Sequence, residues 1–423
     1  MVDAPDAPCA RRPAVLATRA LYSRGFQGQL AFAARHFNLR QPYQRANPNK
    51  RRRVEPRGSA NDTLTQELDR LVADAYQQLC EEAPQAPAEQ TSAEDDETAV
   101  QDEDATSIDL PSIGSMARTM RGIDRLADDA LGTTNLEHDV TQLDEFDLVY
   151  TYVVNESDQS KRIRVSQTGD VFLVPPRAQF LASDIEQCRF LKHIAPMPQH
   201  GFDLIVMDPP YPNVSAERGS QYATLDMYDL FKLPIAQLLV APCQVIGKVR
   251  PGGLLCCWTT HRPRHRRILL ERLFPAWNVD LIGEWCWLKL ANTGEPVLPL
   301  GTQHRKPYER LLIARRRPQH QERQSASTVS DPSVTNEQTD SLVPAPVPAR
   351  RVFASTQCTL HSRKPPLDEL LAEYLPQQPA CLELFARALI PGWTAWGNEP
   401  LKFQHTRYFE PDLIDHASIP PFL

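Results

Sequence analysis

The chain has 423 residues, a formal net charge of -7, a mean hydropathy of -0.43, and 38 prolines against 17 glycines. That length suits two or three domains, and the proline content predicts a folded core plus irregular segments. No apolar run of roughly 18 or more residues occurs, so no membrane span is predicted, and the first residues lack the apolar core of a signal peptide.

Residues 1–60 carry 12 Lys and Arg against 3 Asp and Glu. They include Lys50-Arg51-Arg52-Arg53, flanked by Arg45 and Arg57, which reads as a nuclear-import signal or a nucleic-acid patch. A plain solvated charge run is the competing reading. The expected location is the nucleus, with the cytoplasm left open. Leu21 to Phe37 mixes aromatic and aliphatic residues, so a docking helix is open there. A helix is predicted over 63–80, capped by Thr63, with Leu64, Leu68, Leu71, Val72, Ala75 and Leu79 at helical spacing. Residues 83–107 are acidic and poor in apolar side chains, a composition that predicts disorder, and a second helix is expected at 113–131. Residues 61–115 carry 1 basic against 15 acidic residues, and 116–145 carry 3 against 7, which leaves 146–423 at about +2. The overall acidity therefore does not argue against a nucleic-acid substrate for the C-terminal part. The expected division is a basic region 1–60, a helical and acidic, largely disordered linker 61–145, and a main domain 146–423.

From residue 146 the pattern changes. Strands are predicted at Leu148–Val154 and Val171–Val174, joined by a polar turn, and then at Phe202–Met207, Gly253–Thr259, Val279–Leu290, Arg310–Ala314 and Ala380–Phe385. Helical stretches fall between them at Leu225–Val240, with a break or restart at Pro234, at Arg262–Leu273 and at Pro366–Tyr374. Alternating strands and helices predict an α/β sheet covered on both faces. Residues 317–350 are polar, aperiodic and proline-bearing, and read as a low-complexity surface insertion. The nine cysteines contain no Cys-x-x-Cys pair, so reduced thiols are expected, with neither zinc nor a disulfide framework. Adjacent Cys256 and Cys257 are expected on opposite faces of one strand.

The most informative residues are Asp208-Pro209-Pro210-Tyr211, directly behind the apolar run ending at Met207. An exocyclic amine on adenine or cytosine is a poor nucleophile because its lone pair is delocalised into the ring. A carboxylate accepting one N–H and a carbonyl accepting the other would localise that pair and stabilise the charge that develops during reaction. Asp208 supplies the carboxylate and Pro209 the carbonyl, while Tyr211 offers a ring for base stacking, worth roughly 1–3 kcal/mol. Open parallel sheets bind ligands at the carboxyl ends of their strands, where this tetrapeptide falls. Asp-Pro-Pro is also an efficient strand terminator, which is the purely structural reading.

Seven blocks occur in order: Asp208-Pro209-Pro210-Tyr211, Trp258-Thr259-Thr260, Glu284 to Lys289, Lys306-Pro307-Tyr308-Glu309, His361 to Pro366, Glu383 to Arg387, and Trp396-Gly397-Asn398-Glu399. Together they resemble the MT-A70 family of eukaryotic adenine methyltransferases over roughly 170–409, most like its methyltransferase-like protein four branch. The resemblance implies a Rossmann-like fold that uses S-adenosylmethionine and methylates the adenine N6 amine in RNA, such as small nuclear RNA, or in DNA. It implies that Asp208, Pro209 and Pro210 serve the target amine and the methionine end of the cofactor, and that Lys306 meets the cofactor carboxylate. Asp184 and Ile185 would flank the cofactor adenine, Glu383 and Arg387 would line its ribose and methionine side, and Asn398 and Glu399 would close over ribose and adenine. Plainer readings stand beside these: Lys306 as a loop lysine, Asp184 as a helix N-cap, Glu383 and Arg387 as a pair across a helix turn. Two departures stand out, Tyr211 where the family more often has Trp, and Ala388-Leu389 after Arg387 where the messenger-RNA-modifying branch has His-Asn.

Asn213 is expected to reach the target nucleotide. Arg218, Arg262 and Arg264, with His265, Arg266 and Arg267, are the candidates for phosphate contacts, against a plain basic helix start. A base inside a duplex would have to flip out, which favours single-stranded or terminal adenines. The partner is thus nucleic acid rather than membrane, and a protein partner is left open. Two rival functions remain: a catalytically inactive nucleic-acid adaptor of the same fold, and an amino-methyltransferase acting on cytosine.

Overall fold

A computed structural model of the chain describes residues 14–16, 30–32, 37, 39, 60–82, 132–184, 188, 201–211, 225–245, 248–302, 305–318, 344–360 and 363–411. Its centre is an eleven-stranded sheet. In chain order the strands are β1 (Ala14–Leu16), β2 (Gly132–Asn135), β3 (Thr151–Val154), β4 (Gln179–Ala182), β5 (Leu204–Met207), β6 (Leu254–Thr259), β7 (Val279–Leu290), β8 (Tyr308–Arg316), β9 (Arg350–Thr356), β10 (Cys381–Leu384) and β11 (Thr394–Gly397). They lie side by side as β1-β9-β7-β8-β6-β5-β10-β11-β4-β3-β2. The five central strands β6, β5, β10, β11 and β4 are mutually parallel, while β8 runs antiparallel to both β6 and β7.

These central strands read as continuous apolar runs because both faces are buried. On β5, Leu204 and Val206 enter one core and Ile205 and Met207 the other. On β6, Cys256 and Cys257 divide in the same way, as their adjacency predicts. The Ile205 face is covered by the segments Met227–Lys232 and Ile235–Leu238 and by Pro263–Ile268, which runs through a π-turn at Leu269–Leu273 into Phe274–Ala276. The Val206 face is covered around Leu367, Leu370 and Tyr374, from the short helix Asp368–Leu371 and the turn after it.

Several expectations need adjustment. The predicted strand over 148–154 is split: Asp144 caps a helix at Glu145–Tyr150 by accepting the Asp147 N–H, and only Thr151–Val154 is extended. The polar turn before Val171 contains a strand, Lys161–Val165, whose buried and exposed residues alternate. The main domain begins before 146, because β2 pairs in parallel with β3, and Val140–Leu143 pairs with Lys161–Val165. N-terminal pieces also join it: β1 extends the sheet edge beside β9, and Leu30–Phe32 pairs with Phe409–Pro411.

The helix expected over 63–80 runs from Ala60 to Glu82 and is called α1. Leu68, Val72 and Ala75 pack on Cys286, Leu288, Tyr308 and Val352, so α1 roofs the β7–β8–β9 wing rather than lying in a linker. The insertion is shorter than 317–350. Pro348 is buried and its carbonyl accepts the Trp285 indole N–H at 2.8 Å, while β9 begins at Arg350. The basic cluster at 50–53, the acidic stretch 83–107, the helix expected at 113–131 and most of Leu21–Phe37 lie outside the described residues. No helix of the described residues is long and apolar enough to cross a membrane.

Candidate active site

Asp208 is the first residue past β5, and strand alternation puts it on the Val206 face. Glu383 pairs across from Val206 in register on β10 and shares that face. On the other flank Trp258 of β6 follows the residue paired with Met207. Asp208, Trp258, Glu383, Lys364, Phe385 and Arg387 line one cleft at the carboxyl ends of these parallel strands. That is the place where open α/β sheets hold ligands.

The cleft carries a chain of charges. Lys364 Nζ lies 2.9 Å from Asp208 Oδ2 and 3.2 Å from Glu309 Oε2, and 5.6 Å above the Trp258 ring. Glu309 is gripped on its other side by Lys289. Burial opposes the charge of Lys364, but Asp208 and Glu309 outweigh it and hold the ammonium up at about 12. Burial likewise opposes the charge of Glu309, and Lys364 and Lys289 reverse the effect and hold its carboxyl at about 2. Glu383 goes the other way. Burial, reinforced by the charge of Asp208, pushes it up to about 8 against the pull of Arg387 and Arg363. One carboxyl in the cleft is therefore poised near neutrality.

The strand ends are held together by a strained turn. Phe385 has φ of 61°, a left-handed conformation that costs a non-glycine residue energy and recurs at functional sites. It reverses the chain after β10, lets Ala386 N–H bond the Trp396 carbonyl at 2.9 Å, and swings Arg387 back over the cleft. Gly397 permits this: a Cβ there would stand 3.0 Å from Ala386 N. Arg387 Nε then meets Glu399 Oε2 at 3.8 Å, and Lys402 meets the same oxygen at 3.1 Å.

Most of the expected residues converge at these strand ends. Asp184 is buried just past β4, Asn398 and Glu399 directly follow β11, Glu383 is the last residue but one of β10, and Asp208 directly follows β5. Glu383 and Arg387 are not partners across a helix turn, since the chain between them is a strand end and a reversal. Asp184, Asn398 and Glu399 do not line the cleft, and Asn398 is half-buried. Ile185, Asn213 and Arg218 lie outside the described residues.

Three expectations are corrected. Lys306 is not the lysine of the cleft: its ammonium binds Asp69 Oδ2 on α1 at 2.6 Å, beside the Tyr308 hydroxyl that donates to Asp69 Oδ1 at 2.9 Å. Alternation explains this, because Tyr308 and Lys306, two residues apart, face α1 while Glu309 faces the cleft. Lys364, in the Lys-Pro-Pro of the fifth block, takes the place instead. Its charge just before two prolines, inside a block that carries the resemblance, was the sequence signal. Tyr211 is not an open stacking platform. It is buried, its ring lies parallel to His265 at 5.0 Å, and its hydroxyl donates to the Trp258 carbonyl at 2.6 Å. Burial, then Arg262 and Arg264, push His265 down to about 4, so that ring is neutral near pH 7. Arg266 does not face solvent phosphates, because it forks onto buried Glu284 at 2.9 and 3.3 Å; Arg262 and Arg264 are exposed. The Pro209 carbonyl accepts the Tyr211 N–H at 2.8 Å, leaving its second lone pair for an amine.

Residues 202–399 match the MT-A70 family model. The chain is 36% identical over 313 residues to the N(6)-adenine-specific methyltransferase METTL4 of Homo sapiens, covering 73% of this chain and 60% of that protein. It is 36% identical over 211 residues to the N6-methyladenosine RNA methyltransferase MTA1 of Cryphonectria parasitica, covering 49% and 54%. It is 27% identical over 243 residues to the DNA N6-methyl methyltransferase of Caenorhabditis elegans, covering 57% and 56%. The chain thus spans little more than half the length of these curated relatives.

Proposed function

We propose that the chain is a member of the MT-A70 family, whose model residues 202–399 match, and from that premise that it transfers a methyl group from S-adenosylmethionine to the N6 amine of adenine in nucleic acid. The observation that carries this reading is the convergence of Asp208, Lys364 and Glu383 on one face of adjacent strand ends. The donor set fits the cofactor's methionine end, which bears a carboxylate, an ammonium and a sulfonium: Lys364 matches the anion and Asp208 a cation, while Glu383, whose carboxyl burial pushes up to about 8, offers a hydrogen-bonding oxygen beside them. Bound there, the cofactor would supply an electrophilic methyl group.

The chain's own residues do the rest. Asp208 accepts one N–H of the amine and the free lone pair of the Pro209 carbonyl accepts the other, aligning the nitrogen lone pair. Neither needs to act as a strong base, since the amine N–H turns acidic only as the new bond forms. Alignment of the reacting atoms supplies most of the rate. Buried Trp258 and half-buried Phe385 form apolar walls of the cleft. Exposed Arg262 and Arg264 are the phosphate contacts in this reading. A single-stranded or flipped adenine is the substrate form, and the names of the relatives cover both RNA and DNA. The nucleus is the proposed compartment, addressed by Lys50–Arg53; alanines there would move a tagged protein to the cytoplasm, and unchanged imaging would reject the address.

The deciding experiment supplies labelled cofactor with matched RNA, single-stranded DNA and duplex DNA, and identifies the product nucleoside by mass spectrometry. N6-methylated adenine is expected, with Asp208→Asn lowering the rate by roughly 10²–10³ while the fold persists. Methylated cytosine would move the substrate to the other amino base. Nucleic-acid binding without any product would make the chain an adaptor, and full activity in Asp208→Asn would remove Asp208 from the chemistry.

A further inference from the structure

Four groups form one neutral line into the cleft: Asp208, Lys364, Glu309 and Lys289. Only Asp208 and Lys364 line the cleft; Glu309 and Lys289 stand behind them on β8 and β7. The Glu309 side chain is 29% exposed and that of Lys289 17%, so neither belongs to a freely solvated surface pair. Lys289 is itself steadied 4.9 Å above the Trp287 ring. An ammonium is a point charge on a flexible stem, and it stays where surrounding anions place it. Here two carboxylates place it, and removing one hands it wholly to the other.

We propose that Glu309 is a positioning residue of the methyl-transfer site, acting through Lys364, with Lys289 holding Glu309 in place. By sharing the ammonium, Glu309 keeps Lys364 from saturating Asp208, so that Asp208 retains lone pairs for an amine. The line is neutral as a whole: neutralising Glu309 alone leaves an excess positive charge beside Asp208, and neutralising Lys289 alone leaves an excess negative one. This inference rests on reading the cleft as a methyl-transfer site, but its test includes a measurement independent of turnover.

The experiment compares the full-length wild type with Glu309→Gln, Glu309→Asp, Lys289→Met and the double variant Glu309→Gln/Lys289→Met. Crystal structures report where Lys364 Nζ sits. In Glu309→Gln it leaves its place between the two carboxylates by ~1 Å, a misplacement of the size that costs up to ~10²-fold in rate. In steady-state methylation, kcat of Glu309→Gln falls about 10-fold or more, while KM for the oligonucleotide stays within about 3-fold. Glu309→Asp recovers part of the loss. The neutral double variant is faster than the product of the two single effects, a coupling that independent sites do not show. An unmoved Lys364 in Glu309→Gln would overturn the proposal, as would an unchanged kcat, or additive losses in the double variant. If the wild type methylates nothing while Lys364 moves as described, the positioning stands and the proposed reaction fails.

Discussion

At the scale of single residues, strand alternation decides which charges do chemistry. Asp208, Glu383 and Glu309 all project to the Val206 face of the sheet, and Lys306 projects away from it. The resemblance implies Lys306 for the site, and the structure puts Lys364 in the cleft instead, because both lysines stand beside prolines and only burial and partners separate them. Glu383 supplies a test in pH. Its ordinary value is 4.5, and the folded protein raises it to about 8. Between those values the native state holds a proton that the unfolded chain has released. The stability this group contributes is therefore complete below about 4.5 and is lost as pH rises through about 8. Glu383→Gln is neutral at every pH, so its Tm is expected to fall less than that of the wild type between about pH 5 and 8. Parallel Tm curves for the two proteins would show that Glu383 does not titrate in this window.

At the scale of elements, α1 is the clearest addition to the sequence reading. Its apolar stripe was legible from Leu64 to Leu79, since helical spacing is a local property. Its partner was not, because the wing it covers is built more than 200 residues later. Asp69 seals the contact by accepting from both Lys306 and Tyr308, and Glu67 adds a half-exposed pair with Arg350 at 3.2 Å. Replacing Asp69 by Ala leaves a lysine with a 7% exposed side chain without its anion, which is expected to cost about 1–3 kcal/mol in urea unfolding. Replacing Glu67 by Ala at the more exposed pair is expected to cost under about 1 kcal/mol. Equal losses at the two sites would mean that α1 is held by its apolar stripe alone.

At the scale of the whole molecule, the described N-terminal pieces are structural parts of the domain rather than appendages. β1 closes one sheet edge, and Leu30–Phe32 pairs with the strand at Phe409–Pro411. The segment that can be dispensed with is correspondingly narrower than composition suggested. Pro344 to Ala349 packs against the sheet, with Ala345 N–H bonded to the Glu373 carbonyl at 3.0 Å. Replacing 319–343, which lie outside the described residues, by a short Gly-Ser linker is expected to leave cofactor affinity within about 3-fold, because the cost of joining two fixed chain ends grows only slowly with the length between them. Extending the deletion through 350 removes the acceptor of the Trp285 indole and the first residue of β9, and is expected to destabilise the fold. Calorimetric titration and thermal melts of the two deletions check both halves; equal behaviour would show that 344–350 contributes nothing.

The sequence by itself determined the class of fold, the parallel strands β5, β6 and β10 and the carboxylate at the tip of β5, because apolar runs, turn residues and Asp-Pro-Pro-Tyr act over a few neighbouring positions; the short strands β4 and β11 were not legible in it. It also set Glu383 and Arg387 about the end of an apolar strand, whereas Asn398 and Glu399 entered only through the resemblance. Only the tertiary structure decided which lysine meets Asp208, that Tyr211 lies buried against His265, and that Glu309 and Lys289 stand behind the site. Those are contacts between residues dozens to hundreds of positions apart. Strand order and register set them, and neither is written in any local stretch of the chain.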